Sequence, residues 1–195
     1  MAFSVGAAMR RGFTGWIRFQ RKGVMMKAIV CADRNWGIGY HNRLLVSIPH
    51  DARFFQQQTE GKIVVMGHHT LDSLPGGKPM TGRTNLVLSG LPDLQVRGAE
   101  IVHNRAELFQ RLKQENPDDI YVIGGGKVYE LLLPYCDTAY VTRVDESYQA
   151  DTWFPPIDYM PEWQKEEESE EQTYFDIAYT FCTYRKKYHT ELPES

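Results

Sequence analysis

Cysteine is scarce in this chain, and the three that occur, Cys31, Cys136 and Cys182, stand far apart. Isolated thiols of odd number build neither a disulfide framework nor the clustered spacing of a zinc site, and they suit a reducing, cytoplasmic setting. No apolar run approaches the roughly 18 residues of a membrane span. No internal repeat is visible. No charge dominates either, since 22 basic and 25 acidic residues leave a net charge of −3, which excludes a general attraction to nucleic acid. Acidic residues are missing altogether from positions 1–25, which carry Arg10, Arg11, Arg18, Arg21 and Lys22. The remaining positions hold 17 basic and 25 acidic side chains, a charge of −8. At roughly 150 residues per domain, a chain of 195 is one domain with something small attached. Hydrophobic and charged fractions of 42% and 24% exclude a disordered or collagen-like chain.

The small attachment is the basic leader, residues 1–25. Its charges follow rather than precede its short apolar piece, which rejects a secretory signal. An Arg-rich, acid-free leader fits an organelle transit peptide, but the first strand begins immediately after it. The leader is therefore read as a disordered tail, or as sequence upstream of a start at Met25 or Met26.

From Lys27 onward, short β-branched runs recur at 27–32, 62–66, 84–89, 99–103, 120–123 and 138–144. Near-continuous apolar runs of this length predict strands buried on both faces of a largely parallel sheet. Helical patterns lie between them. Residues 50–59 follow Pro49, a normal helix start. Residues 105–115 place Ala106, Leu108, Phe109 and Leu112 on one face before Asn116-Pro117, and residues 127–133 stop at Pro134. Residues 166–171 (EEESEE) read as a solvated loop or exposed strand edge, and 174–188 alternate as a half-buried antiparallel strand does. The prediction is a single α/β domain over 26–190. It has a central, mostly parallel eight-stranded sheet, an antiparallel C-terminal edge hairpin and about four flanking helices.

Three stretches carry chemistry. In 120–130, IYVIGGGKVYE, a buried strand runs through Gly124, Gly125 and Gly126 into a helix, a turn that lets backbone N–H groups approach a phosphate. The G-x-G-x-x-G spacing of a dinucleotide fingerprint is lacking. In 36–51, a glycine-rich loop leads through Ile48-Pro49 to Asp51 in the first turn of a helix. An acid there can simply answer the helix dipole. Among Ile48, Phe54 and Phe55, however, desolvation raises a carboxyl pKa, and a cationic substrate group repays the burial. In 62–89, a Gly-His-His-Thr turn opens a short helix. His68 and His69 lack the spacing of a helical metal pair, so no metal is expected, and anion binding at the helix start fits better.

Taken in order, "IPHD", "VVMGHHT", "GRTNLVLS", "VIGGGKVYE", "VTRV" and "DTWFP" resemble the dihydrofolate reductases from residue 26 to about 188. The resemblance implies hydride transfer from NADPH to 7,8-dihydrofolate, giving tetrahydrofolate, in a monomer that folate-analogue inhibitors also bind. By this similarity Asp51 is the active-site carboxylate that holds the pterin's 2-amino group and nitrogen 3 and promotes its protonation, and Thr142 would bond both Asp51 and the pterin amino group through ordered water. Ile29, Val30, Cys31, Ala52, Phe55 and Ile123 would line the pterin slot. Leu74 and Met80 would flank the benzoyl ring, and Arg83 would grip the glutamate α-carboxylate. For NADPH, Cys31, Ile38, Gly39 and Ile123 would meet the nicotinamide side. Gly67, His68, His69, Thr70, Leu88, Ser89, Gly124, Gly125, Gly126, Lys127, Val128 and Tyr129 would meet the phosphates and adenosine. The family's cis peptide is expected at Gly125-Gly126, and residues 37–42 belong to its mobile loop.

Three positions depart from the family pattern. Val46 stands where a Trp usually packs under the substrate, Gln56 stands where a cation often assists the glutamate tail, and His68 replaces an Arg that helps bind the extra phosphate of NADPH. An imidazole is mostly uncharged at neutral pH, so a weaker preference for NADPH over NADH is expected. Two other readings compete: a sister reductase acting on a pyrimidine precursor of riboflavin, and a non-catalytic folate- or nucleotide-binding protein. Asp51 together with Arg83 argues against the first, whose substrate has no glutamate tail.

Overall fold

Strand alternation sorts the apolar side chains into two layers, and the helices follow the layers. The computed structural model describes residues 25–187. The leader except Met25, and residues 188–190 of the expected domain, lie outside the described residues. In chain order the elements are β1 (Met26–Ala32), β2 (Gly37–Tyr40), β3 (Arg43–Leu44), α1 (Pro49–Thr59), β4 (Ile63–Gly67), α2 (His68–Ser73), β5 (Thr84–Leu88) and β6 (Glu100–Val102). They continue with α3 (Arg105–Leu112), β7 (Ile120–Gly124), α4 (Gly126–Leu132), β8 (Cys136–Val144), β9 (Thr152–Trp153), β10 (Trp163–Glu168), β11 (Gln172–Tyr174) and β12 (Ile177–Lys186).

The main sheet runs β10-β12-β8-β1-β7-β4-β5-β6. Every pair from β8 to β6 is parallel, and β12 joins β8 antiparallel, as does β10 to β12. The mostly parallel sheet with an antiparallel C-terminal edge is therefore present as a path of eight strands. A short ninth strand, β11, pairs with β12. A separate three-stranded sheet, β3-β2-β9, was not foreseen, because strands of two to four residues carry too few side chains to show a period.

On one face, Met26, Ala28, Val30, Val65, Leu86, Val122, Ala139 and Val141 meet Leu108 and Leu112 of α3 and Val128, Tyr129 and Leu132 of α4. On the other, Val64, Met66 and Val87 meet Leu71 of α2, and Phe54 of α1 lies against Tyr140 and Phe181. Strands covered on both faces are what continuous apolar runs imply. The helix expected over 105–115 ends at Leu112, because Pro117 begins a new 3-10 turn capped by Asn116. The strand expected over 174–188 is interrupted: Tyr174 closes β11, and Phe175 turns at φ 51° before β12 starts at Ile177. Tyr188 lies outside the described residues.

Candidate active site

Pro49 occupies the first turn of α1, with Asp51 two residues later. The carboxylate points at β8, where the Thr142 hydroxyl donates to Asp51 Oδ1 at 2.6 Å. Thr142 is buried and stands in register with Cys31 of β1, so acid, hydroxyl and thiol share one end of the sheet. Burial raises the Asp51 pKa above the ordinary carboxylate range, while the Thr142 hydrogen bond and the charge of His50 oppose the rise. The same surroundings push the Cys31 thiol well up, first through burial and then through Asp51. The arrangement is a desolvated carboxyl group held in one rotamer, suited to binding a protonated ring.

A helical repeat of 3.6 residues stacks Asp51, Phe55 and Thr59 along one stripe of α1. At its far end the Thr59 hydroxyl donates to Phe55 O at 2.8 Å and accepts from Arg83 Nε at 3.0 Å. Arg83 also donates to Thr81 O at 2.8 Å. The Arg83 guanidinium thus stands about 12 Å along the helix from the carboxylate. Leu74, Met80 and Ile123 are half-buried together on the α2 side. Asn85 fixes the loop that carries Met80, accepting from Met80 N and donating to Met80 O, each at 2.9 Å.

The glycine run forms the second half of the site. The cis peptide is Gly124-Gly125, one bond earlier than expected. Gly124 has φ +117°, a conformation side chains rarely adopt, and a Cβ there would lie 3.1 Å from the Tyr129 ring. A Cβ on Gly125 would lie 3.2 Å from Thr70 Oγ1, and one on Gly126 would lie 3.0 Å from Trp153 O. A Cβ on Gly67 would lie 3.1 Å from Val128. The β4–α2 and β7–α4 turns therefore lie side by side, lined by backbone because no side chain fits. Next to them, His68 Nδ1 lies 3.3 Å from Ser89 Oγ, the His69 ring lies tilted against His68 with centroids 4.0 Å apart, and His103 Nδ1 lies 3.1 Å from Ser89 O. Lys127 and His69 are exposed.

Several expected side chains are turned elsewhere. Alternation along β1 sends Val30 to the face opposite Cys31, and Ile38 is buried in the same large core, so both can reach a ligand only through backbone. Tyr129 is fully engaged inside: its hydroxyl donates to Ile29 O at 2.7 Å and its ring meets Phe154 edge-on. It braces β1 against the glycine turn. Val46, at the usual Trp position, packs with Cys31, Ile48 and Phe181. Gly39 and Ala52 are partly or fully open to solvent, and Leu88 is half-buried beside the core. Asn85, His103 and Thr59 were not foreseen, and only Thr59, at helical spacing from Asp51 and Phe55, left a trace in the sequence. A cavity of about 410 Å3 behind α1, lined by Phe54, Gln58, Tyr140 and Phe181 among others, contains none of the expected site residues. Among the described residues no group of three or more His, Cys, Asp or Glu could hold a metal.

Comparison with known proteins gives this geometry a context. A family model described as dihydrofolate reductase matches residues 25–186. A dihydrofolate reductase of Neisseria gonorrhoeae is 36% identical over 159 residues, covering 80% of this chain and 94% of that protein. One of Bacillus subtilis is 30% identical over 167 residues, covering 84% and 95%. The solved structure of the Enterococcus faecalis dihydrofolate reductase, complexed with NADP(H) and RAB-propyl, superposes with a TM-score of 0.75 at 30% identity, covering 84% of this chain and 97% of that one.

Proposed function

The chain belongs to the dihydrofolate reductase family, and from that premise we propose that it reduces 7,8-dihydrofolate to 5,6,7,8-tetrahydrofolate with NADPH, Asp51 promoting protonation of the pterin. The observation that carries this reading is the half-buried Asp51 carboxyl, fixed by Thr142 at 2.6 Å and raised in pKa by its burial.

The chain's own residues fit NADPH. Two adjacent turns are bare of side chains where Gly67, Gly124, Gly125 and Gly126 stand, and the first N–H groups of α2 and α4 have no carbonyl a turn behind them. Phosphate oxygens are the acceptors such a backbone cradle suits, with Thr70, His69, Lys127 and Ser89 at its margin. Bound there, NADPH supplies the hydride that reduces the pterin at carbon 6.

Asp51 would accept hydrogen bonds from the pterin 2-amino group and nitrogen 3. An anion at that edge favours the cationic ring, so nitrogen 5 is more readily protonated by a water molecule. Thr142 fixes the carboxylate rotamer and would share its bond with the amino group. Ile29, Cys31, Phe55 and Ile123 would exclude water around the ring, Leu74 and Met80 would flank the benzoyl group, and Arg83 would receive the glutamate carboxylate as a planar fork. Folate analogues would compete for this cleft.

The decisive experiment follows absorbance at 340 nm with NADPH and with NADH, with and without dihydrofolate. Oxidation dependent on dihydrofolate is expected, and its absence with folded protein refutes the activity. Asp51→Asn should lower the rate most at neutral pH and recover toward acid, where the substrate is already protonated. An equal loss at every pH would overturn the role given to Asp51. With His68 beside Ser89 in place of a guanidinium, the ratio of kcat/KM for NADPH over NADH is expected to be modest and to increase in His68→Arg.

A further inference from the structure

Thr142 and Arg143 are neighbours on β8, and strand alternation sends their side chains to opposite faces of the sheet. Thr142 turns to Asp51 of α1. Arg143 stands level with Ala32, the last residue of β1, and its side chain reaches the turn that joins β1 to β2. There one guanidinium nitrogen donates to Asp33 O at 2.9 Å and another to Arg34 O at 3.1 Å. The guanidinium carbon also lies 3.9 Å from the centroid of the Trp36 ring. The roles proposed for Asp51, Thr142 and Arg83 use none of these contacts.

Within the turn, the buried Asp33 sets the shape. One of its carboxylate oxygens accepts from Asn35 N at 2.8 Å and Gly37 N at 2.7 Å, and the other accepts from Tyr148 N at 2.9 Å. Trp36 has φ 65°, a left-handed conformation that a bulky side chain rarely adopts. Such strain persists only where the surroundings over-determine it. The indole is 5% exposed, stacks with Phe154 at 5.9 Å and meets Tyr184 edge-on at 6.3 Å, while Trp36 O accepts from Phe154 N at 2.9 Å. The charge of arginine is permanent, and its planar fork can bond two carbonyls while covering an aromatic ring, which a lysine ammonium cannot match. Gly37 follows Trp36 and opens β2, so the place of Ile38 and Gly39 follows from the place of this turn.

We propose that Arg143 is a positioning residue for the nicotinamide half of the cofactor: by gripping two carbonyls and the Trp36 ring, it fixes the β1–β2 turn on the main sheet, and with it the β2 backbone at Ile38 and Gly39. The inference rests on the NADPH site proposed for this chain. The phosphate cradle is built by other turns, β4–α2 and β7–α4, and Phe154 rather than Arg143 makes the contact toward Tyr129 and the glycines. Replacing Arg143 therefore acts on one half of the ligand.

The test compares two probes by calorimetry on the full-length protein: NADPH, and adenosine 2′,5′-bisphosphate, which has the adenosine end but no nicotinamide. Arg143→Met keeps the aliphatic stem and removes the guanidinium. It should weaken NADPH binding about tenfold, as loss of a charge-assisted hydrogen bond implies, and change bisphosphate binding by less than about twofold. Arg143→Lys keeps a cation without the fork and should weaken NADPH about threefold, again sparing the bisphosphate. This milder variant carries the test alone if Arg143→Met does not fold. A merely structural role would weaken both probes together. Equal losses for the two probes, or NADPH binding that stays at the wild-type value in the folded variants, overturn the proposal. A wild-type chain that binds NADPH no more tightly than the bisphosphate overturns the nicotinamide site itself, and this inference with it.

Discussion

Asp51 is placed where its charge costs stability. Its folded-state pKa is raised, chiefly by burial, so the folded chain binds this proton more tightly than the unfolded chain does. The sign then follows from linkage: stability is fullest below the unfolded value, about 3.9, and falls as pH rises through the folded one. Asp51→Asn keeps an acceptor for Thr142 and removes the charge. It should melt above the wild type at pH 7, with the difference closing near about pH 4; equal melting at pH 7 would show that the carboxyl is not strained by its site. Arg83 is the converse case, a charge whose donors are aimed by Thr59 and Thr81. Arg83→Leu removes charge-assisted hydrogen bonds worth about 1.5–3 kcal/mol, so the KM for dihydrofolate should rise roughly 10- to 100-fold, while NADPH affinity measured by fluorescence titration stays near the wild type. Both residues were legible in the sequence. His103 and Asn85 were not: His103 meets Ser89 O only because β5 and β6 pair in parallel, and Asn85 closes on Met80 only through the fold of the loop before β5.

The elements that build the site are short, and their ends matter more than their interiors. β4 and β7 are neighbours in the sheet, so the turns that leave them toward α2 and α4 emerge side by side. The space between them is kept by the absence of side chains. Gly126→Ala places a methyl group 3.0 Å from Trp153 O, a backbone atom of β9 that cannot swing aside. Overpacking of this kind costs about 1–3 kcal/mol. Denaturant unfolding should show that loss, and NADPH should bind more weakly; a variant with unchanged NADPH affinity would show that the cradle is looser than its geometry. The strand-glycine-helix pattern announced the turn but not which peptide is cis, since three consecutive glycines offer the same local chemistry. Local pattern also overextended α3 and the last strand. A helix of favourable composition stops where the chain must turn to enter β7, and an aromatic alternation continues through a hairpin because β11 and β12 share it.

For the whole molecule, the near-neutral net charge is an average of unlike parts, a leader of +5 and a remainder of −8. On the function proposed, anionic ligands would be drawn by local groups such as Arg83, Lys127 and the helix starts rather than by the overall field. Residues 25–186 match the family, β1 begins at Met26 in register with Cys136, and Met25 is buried. We propose that the reductase domain begins there and that the leader is dispensable for catalysis. Deleting residues 1–24 should leave kcat and the melting temperature unchanged; an unfolded or inactive product would place the leader within the domain. No helix among the described residues is long and apolar enough to cross a membrane. The amino-acid sequence by itself determined the strand and helix order, the largely parallel sheet and the residue types of the site. Those rest on hydrophobic periodicity, on prolines at helix ends and on glycines at turns, all of which act within a few residues. Only the tertiary structure decided which side chains of those segments face the cleft. It turned Val30, Ile38 and Tyr129 into the core, set Thr142 against Asp51, and tied His50 to Tyr179 across 129 positions of chain. Strand register and helix rotation settle such contacts, and both are fixed by packing the whole sheet between its two layers.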